Sequence, residues 1–169
     1  MAALPQTNLC RIAVLPFINE TNFKQGEIIV NKVFIAELVQ TGNYLIAHEG
    51  DLLKIYRQLR IFPGHSPDFE QLRILSDRLN VQLIITGKIH EMSEKIQKYD
   101  SSPSLAFSLQ VFEANTGRTL WNTYHKREGE EYRKALHFGK VHTVTSLAQR
   151  MSEEILNLWL KEGFRICTD

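Results

Sequence analysis

The chain has 169 residues, of which 43% are apolar and 23% charged, and its formal net charge is +1. That length fits one domain able to bury a core unaided. Twenty basic residues against 19 acidic ones exclude an electrostatic case for nucleic acid or an anionic membrane surface. No apolar run reaches the roughly 18 residues of a membrane helix, so direct membrane insertion by this chain is not expected.

"RIAVLPF" (11–17) is a nearly continuous apolar run, the mark of a strand covered on both faces. The polar connection "NETNFKQG" follows, and "EIIVNKVFIAELVQTG" then takes a helical period. Val30, Val33, Phe34 and Leu38 form its stripe, and Gly42 stands as the residue just past its end. "NYLIAH" (43–48) reads as a short second strand, and "DLLKIYRQLR" places Leu52, Ile55, Tyr56 and Leu59 on one helical face. Pro63 and Gly64 break the chain. Ser66 is the expected cap of the next helix, with Pro67 in its first turn and Phe69, Leu72, Leu75 and Leu79 as its buried stripe.

"VQLIITGKIHEM" (81–92) reads as a third strand, and the polar stretch 93–104 as a mobile hairpin loop. In "LAFSLQVFE" the alternation turns Leu105, Phe107, Leu109 and Val111 one way and Ser108 and Gln110 the other. Asn115, Thr116 and Gly117 supply a hairpin turn into "RTLWNTYHK", and Trp121 is expected to pack at a sheet–helix seam. After a charged stretch (126–134), apolar residues at helical spacing run from Val144 through Leu147, Ala148, Met151, Ile155 and Leu158 to Trp159, predicting a helix over 141–161. The order β-α-β-α-α-β-β-β-α implies one α/β domain: a single mixed β-sheet packed by helices, parallel first and a meander afterwards. Its expected extent is 11–162, with an extension at 1–10 and a tail at 163–169.

The opening "MAALPQTNLC" has no basic region and no long apolar stretch, so it does not read as an intact export signal, and Leu9 before Cys10 makes a poor lipidation site. Cys10 and Cys167 are the two cysteines. They read as unpaired small apolar residues, with a bridge in an oxidising compartment as the other reading.

For chemistry, the sequence offers little at recognisable spacing. The histidines are His48, His65, His90, His125, His137 and His142; the last two are off the i, i+4 spacing of helical metal ligands. Gly139 and Lys140 lack the rest of a phosphate loop, and "EGEE" (128–131) reads as a solvated turn. No nucleophile–base pair can be named, so neither a metal nor a cofactor nor an enzymatic role is expected. The candidate site is "NETN", that is Asn19, Glu20, Thr21 and Asn22, at the carboxyl end of the first strand, where open α/β sheets place binding sites. The same residues could simply cap the helix.

"IAVLPFINETN", then "LNVQLIITGKI", then "LAFSLQVFEANTGRTLW", with the closing helix "SLAQRMSEEILNLW", resembles the TolB amino-terminal domain. The pattern is shared by the curli secretion subunit CsgG and the peptidoglycan-synthase activator lipoprotein LpoB. The matching segments are 12–19, 79–89 and 109–121. The resemblance implies an anticodon-binding-domain-like α/β fold. It further implies a non-enzymatic protein-binding module of the bacterial cell envelope, derived from a (lipo)protein whose export signal has been removed. Such a module is periplasmic or anchored at the outer membrane on the periplasmic side, with envelope proteins or a second copy of itself as partners. The alternatives are an accessory subunit of a CsgG-like secretion assembly and a cytosolic adaptor. No long hairpins of alternating apolar residues are present for a pore-forming strand pair.

Overall fold

A computed structural model describes residues 10–133 and 139–162. The strands are β1 (Cys10–Val14), β2 (Ile18–Asn19), β3 (Tyr44–Ile46), β4 (Leu83–Gln97), β5 (Asp100–Glu113) and β6 (Thr119–Glu128); the helices are α1 (Gly26–Gln40), α2 (Glu49–Gln58), α3 (Phe69–Leu79) and α4 (Val144–Lys161), with one 3-10 turn at Gly129–Tyr132. They form one mixed sheet in the order β3-β1-β4-β5-β6, with β2 paired to β4. β1 runs parallel to β3 and β4, while β4, β5 and β6 form the antiparallel meander. This is the topology expected from the element order.

The apolar run of β1 is covered on both faces. Ile12 and Val14 join Leu83, Ile85, Phe107, Leu109 and Val111 in a core closed by α1 and α4. Ala13, Leu15 and Ile84 face a second core closed by α2 and α3. Neighbouring strand residues therefore belong to different cores, as a period of two demands. Trp121 stacks on Trp159 with centroids 6.0 Å apart, and Trp159 stacks on Tyr44 at 5.4 Å, so α4 is clamped to the sheet by aromatic contacts.

Helix boundaries follow local chemistry. Gly42 has φ +66° immediately after the C-cap Thr41, the left-handed step that ends α1. α2 starts at His48, whose Nδ1 accepts from the Gly50 N–H at 3.1 Å. The start of α3 corrects the expectation at Ser66 and Pro67. Asp68 is the N-cap: its carboxylate accepts from the Gln71 N–H at 2.8 Å, and the Gln71 side chain accepts from the Asp68 N–H at 2.9 Å. That reciprocal pair satisfies two donors, which a Ser66 cap would leave to solvent. Phe69 also departs from its expected place, lying 56% exposed against the hairpin turn at Gly117. In α4, Leu158 is exposed and Leu156 takes the buried position.

The stretch 93–104 is a regular ribbon: β4 and β5 stay paired from Ser93↔Ser104 to Gln97↔Asp100, and the turn is only residues 98–99. Polar composition suggested a loop, but a two-stranded ribbon held by its backbone ladder and by polar contacts needs no apolar stripe. Its tip is tied down by Lys140, whose ammonium donates to Asp100 and, at 2.7 Å, to Glu130. The Lys140 side chain is 2% exposed. Those hydrogen bonds from Lys140 hold both carboxyls below their ordinary range, and the two carboxylates raise the ammonium above its own. "EGEE" is thus a partner of a buried cation rather than a free surface turn, and Gly139–Lys140 serves packing. Cys10 is disulfide-bonded, which corrects its reading as an unpaired residue. Cys167 and His137 lie outside the described residues.

Candidate functional site

The four predicted site residues divide into two pairs with different jobs. Asn19 organises the loop internally: its Oδ1 accepts from the Thr21 N–H at 2.9 Å and the Thr21 hydroxyl at 2.7 Å, while its Nδ2 donates to Phe23 O at 2.8 Å and Glu27 Oε2 at 3.0 Å. Thr21 Oγ1 accepts in turn from the Phe23 N–H at 3.1 Å. Both residues therefore hold a turn. Glu20 and Asn22 are exposed. Asn22 and its neighbours line a half-open groove of about 970 Å³ between the loop, α1 and α2, with Pro16, Phe23, Ile35 and Leu53 along it.

Glu20 points elsewhere. Its backbone N–H donates to Ile89 O at 3.0 Å, which fixes it beside an irregular stretch of β4. There the β4–β5 register shifts between Ile89 and Glu91, leaving His90 as the extra residue of a bulge. A bulge re-aims a side chain next to it. His90 keeps the face that alternation from Lys88 gives it, away from α1 and α4, and the bulge turns Glu91 to that same face. Its Nδ1 is 3.0 Å from Glu20 Oε2, and its Nε2 is 2.7 Å from Ser108 Oγ. An ionised carboxylate can only accept, so Nδ1 carries the proton toward Glu20, and in the neutral ring Nε2 accepts from the Ser108 hydroxyl. Tyr124 flanks the imidazole with centroids 5.6 Å apart, and Lys88 Nζ stands 3.8 Å from Glu20 Oε1.

This hydroxyl–imidazole–carboxylate relay is the arrangement that the sequence could not name. Its members are 70 and 18 positions apart; the β2–β4 pairing brings Glu20 to His90, and the β4–β5 register, which sets Lys88 opposite Ser108, brings the hydroxyl. The one usable signal was the alternation that turned Ser108 off the core face. The surrounding sheet face is polar and open: Thr86, Gln110 and Asn122 lie on it beside a hollow of about 490 Å³. A second polar bridge lies farther along, where Lys126 Nζ donates to Glu91 Oε2 at 2.7 Å and Ser104 Oγ to Glu91 Oε1 at 3.0 Å. The Lys126 hydrogen bond keeps the Glu91 carboxyl below its ordinary range. Among the described residues no group of three His, Cys, Asp or Glu side chains could hold a metal ion, and no helix is long and apolar enough to cross a membrane.

The mixed sheet carries α1 and α4 on one face and α2 and α3 on part of the other, and the rest of that second face is polar and open. No family model matches the sequence, and no curated protein matches it. Solved structures do. The chain is similar to the lipoprotein GNA1162 from Neisseria meningitidis, with a TM-score of 0.64 at 15% identity over 90% of this chain and 99% of that one. It is similar to the PelC dodecamer from Paraburkholderia phytofirmans (0.60, 14% identity, 88% of this chain and 86% of that one). The third is the LpoB C-terminal domain from Escherichia coli (0.53, 14% identity, 74% and 87%). The chain has the LpoB-like α/β fold that the three sequence motifs implied.

Proposed function

We propose that the chain is a protein-binding module of the bacterial cell envelope, periplasmic or held at the outer membrane on its periplasmic side. The observation that carries this reading is the fold, shared over nearly its whole length with a lipoprotein. The disulfide at Cys10 supports it, since stable disulfides belong to oxidising compartments. The partner is an envelope protein or a second copy of the chain; PelC, a structural relative, is a dodecamer.

Two surfaces are open to a partner. One is the groove beside Asn22; the other is β6, whose outer edge has no neighbouring strand among the described residues and can accept an added strand. Photo-crosslinking residues placed at Asn22 and at Asn122, in protein expressed in its native envelope, test the proposal. A discrete adduct, with an envelope protein or with a second copy, is expected from at least one position. Folded protein giving no adduct at either position would overturn it.

A further inference from the structure

We infer that Ser108 is an activated nucleophile, with His90 as its general base and Glu20 as the group that orients the base, and that it accepts acyl groups from small carboxylic esters. This activity is independent of the binding role. Three observations converge. The first is the unbroken chain of contacts from Ser108 Oγ to His90 Nε2 at 2.7 Å and from His90 Nδ1 to Glu20 Oε2 at 3.0 Å. Such distances are those of a nucleophile and base in working order. The second is that each member is held from outside the relay. Ser108 sits mid-strand opposite Lys88, His90 follows Lys88 on the same face of β4, and Glu20 is pinned by its own N–H on Ile89 O. The third is space: the hollow of about 490 Å³ includes Ser108 among its walls. It offers apolar surface from Pro16, Tyr56 and Leu72 and polar groups from Gln110, Asn122 and Tyr124.

The chemistry closes on these residues plus ester and water. Ser108 Oγ attacks the ester carbonyl carbon as its proton passes to His90 Nε2, and Glu20 stabilises the resulting imidazolium through Nδ1–H. The carbon–oxygen bond to the leaving group then breaks, and the departing alkoxide takes the proton from Nε2. Water, deprotonated by the same nitrogen, attacks the acyl-serine; the carboxylic acid leaves and Ser108 regains its proton. The donors that share the hollow with Ser108 are the side-chain amides of Gln110 and Asn122, and stabilisation of the tetrahedral oxyanion falls to them. Esters, whose leaving groups depart readily, are therefore the substrate class, rather than amides.

The test is a fluorophosphonate probe, followed by peptide mapping, alongside hydrolysis of p-nitrophenyl acetate. Attack by Ser108 on the probe forms a phosphorus–oxygen bond and expels fluoride, with the proton again going to His90. Expected is a single adduct on the Ser108 peptide of the unmodified protein. Labelling should be lost in Ser108→Ala, slowed by about 10²-fold in His90→Gln, and unchanged in Ser104→Ala, with circular dichroism melts confirming folding. Absence of the adduct on Ser108 in folded unmodified protein overturns the inference. An adduct formed equally fast in folded His90→Gln also overturns it, because the serine would then react without the relay.

Discussion

The ring of Phe17 fills the space that a side chain at position 87 would occupy: a Cβ built on Gly87 would lie 2.7 Å from two of the ring's atoms. Phe17 is itself buried, tilted against Phe34 with centroids 5.9 Å apart, so the ring has little room to yield. Gly87→Ala is expected to destabilise by about 1–3 kcal/mol, as other overpacked cores do. Urea unfolding measures it, and Phe17→Leu in the same chain should recover part of the loss.

The two halves of the predicted site should respond differently. Asn19→Ala removes four hydrogen bonds that close the loop and is expected to cost about 1–2 kcal/mol. Asn22→Ala, at an exposed position, should stay within about 0.5 kcal/mol. Leu109→Ala, in the main core at 1% exposure, should cost about 2–5 kcal/mol. Denaturant midpoints of the three variants check the ordering.

These contrasts show what the chain declares in advance and what it hides. β1, β5 and α4 were legible because burial imposes a period: Leu105, Phe107, Leu109 and Val111 alternate, and Leu147, Met151 and Ile155 recur at helical spacing. The ribbon beyond Ser93 was not legible, since it is held by backbone pairing and by the Lys140 ion pairs rather than by an alternating apolar face. Asn19 and Thr21 were found by position in the fold, although their hydrogen bonds make them a turn. His90 and Ser108 escaped notice because their meeting depends on the register of β4 against β5, which no local pattern encodes.

The Lys140 cluster predicts a defined pH response. Asp100 and Glu130 have carboxyls lowered by hydrogen bonds from Lys140. Their contribution to stability is fully present above the unfolded carboxylate range and is lost as pH falls through their depressed values. Lys140 is raised by the same partners; its contribution is fully present below the unfolded lysine range and is lost as pH rises through the raised value. Lys140→Met should flatten both limbs of a plot of melting temperature against pH. An unchanged acid limb would show that the cluster is not what acid disrupts.

The disulfide at Cys10 predicts sensitivity to reductant. Reduction, or Cys10→Ser, should cost about 2–5 kcal/mol if the bridge behaves as others in proteins of this size do. Thermal melts with and without reductant give the difference, and Cys10→Ser should abolish it.

The most direct test of the envelope assignment is the redox state of Cys10 in the living cell. Cells expressing the native gene product are quenched in acid, alkylated with a maleimide, reduced, and alkylated again with a heavier maleimide before the Cys10 peptide is weighed. A protein resident in the oxidising envelope carries only the second label at Cys10. A Cys10 peptide bearing the first label would mean a reduced thiol in a reducing compartment, and would contradict the assignment.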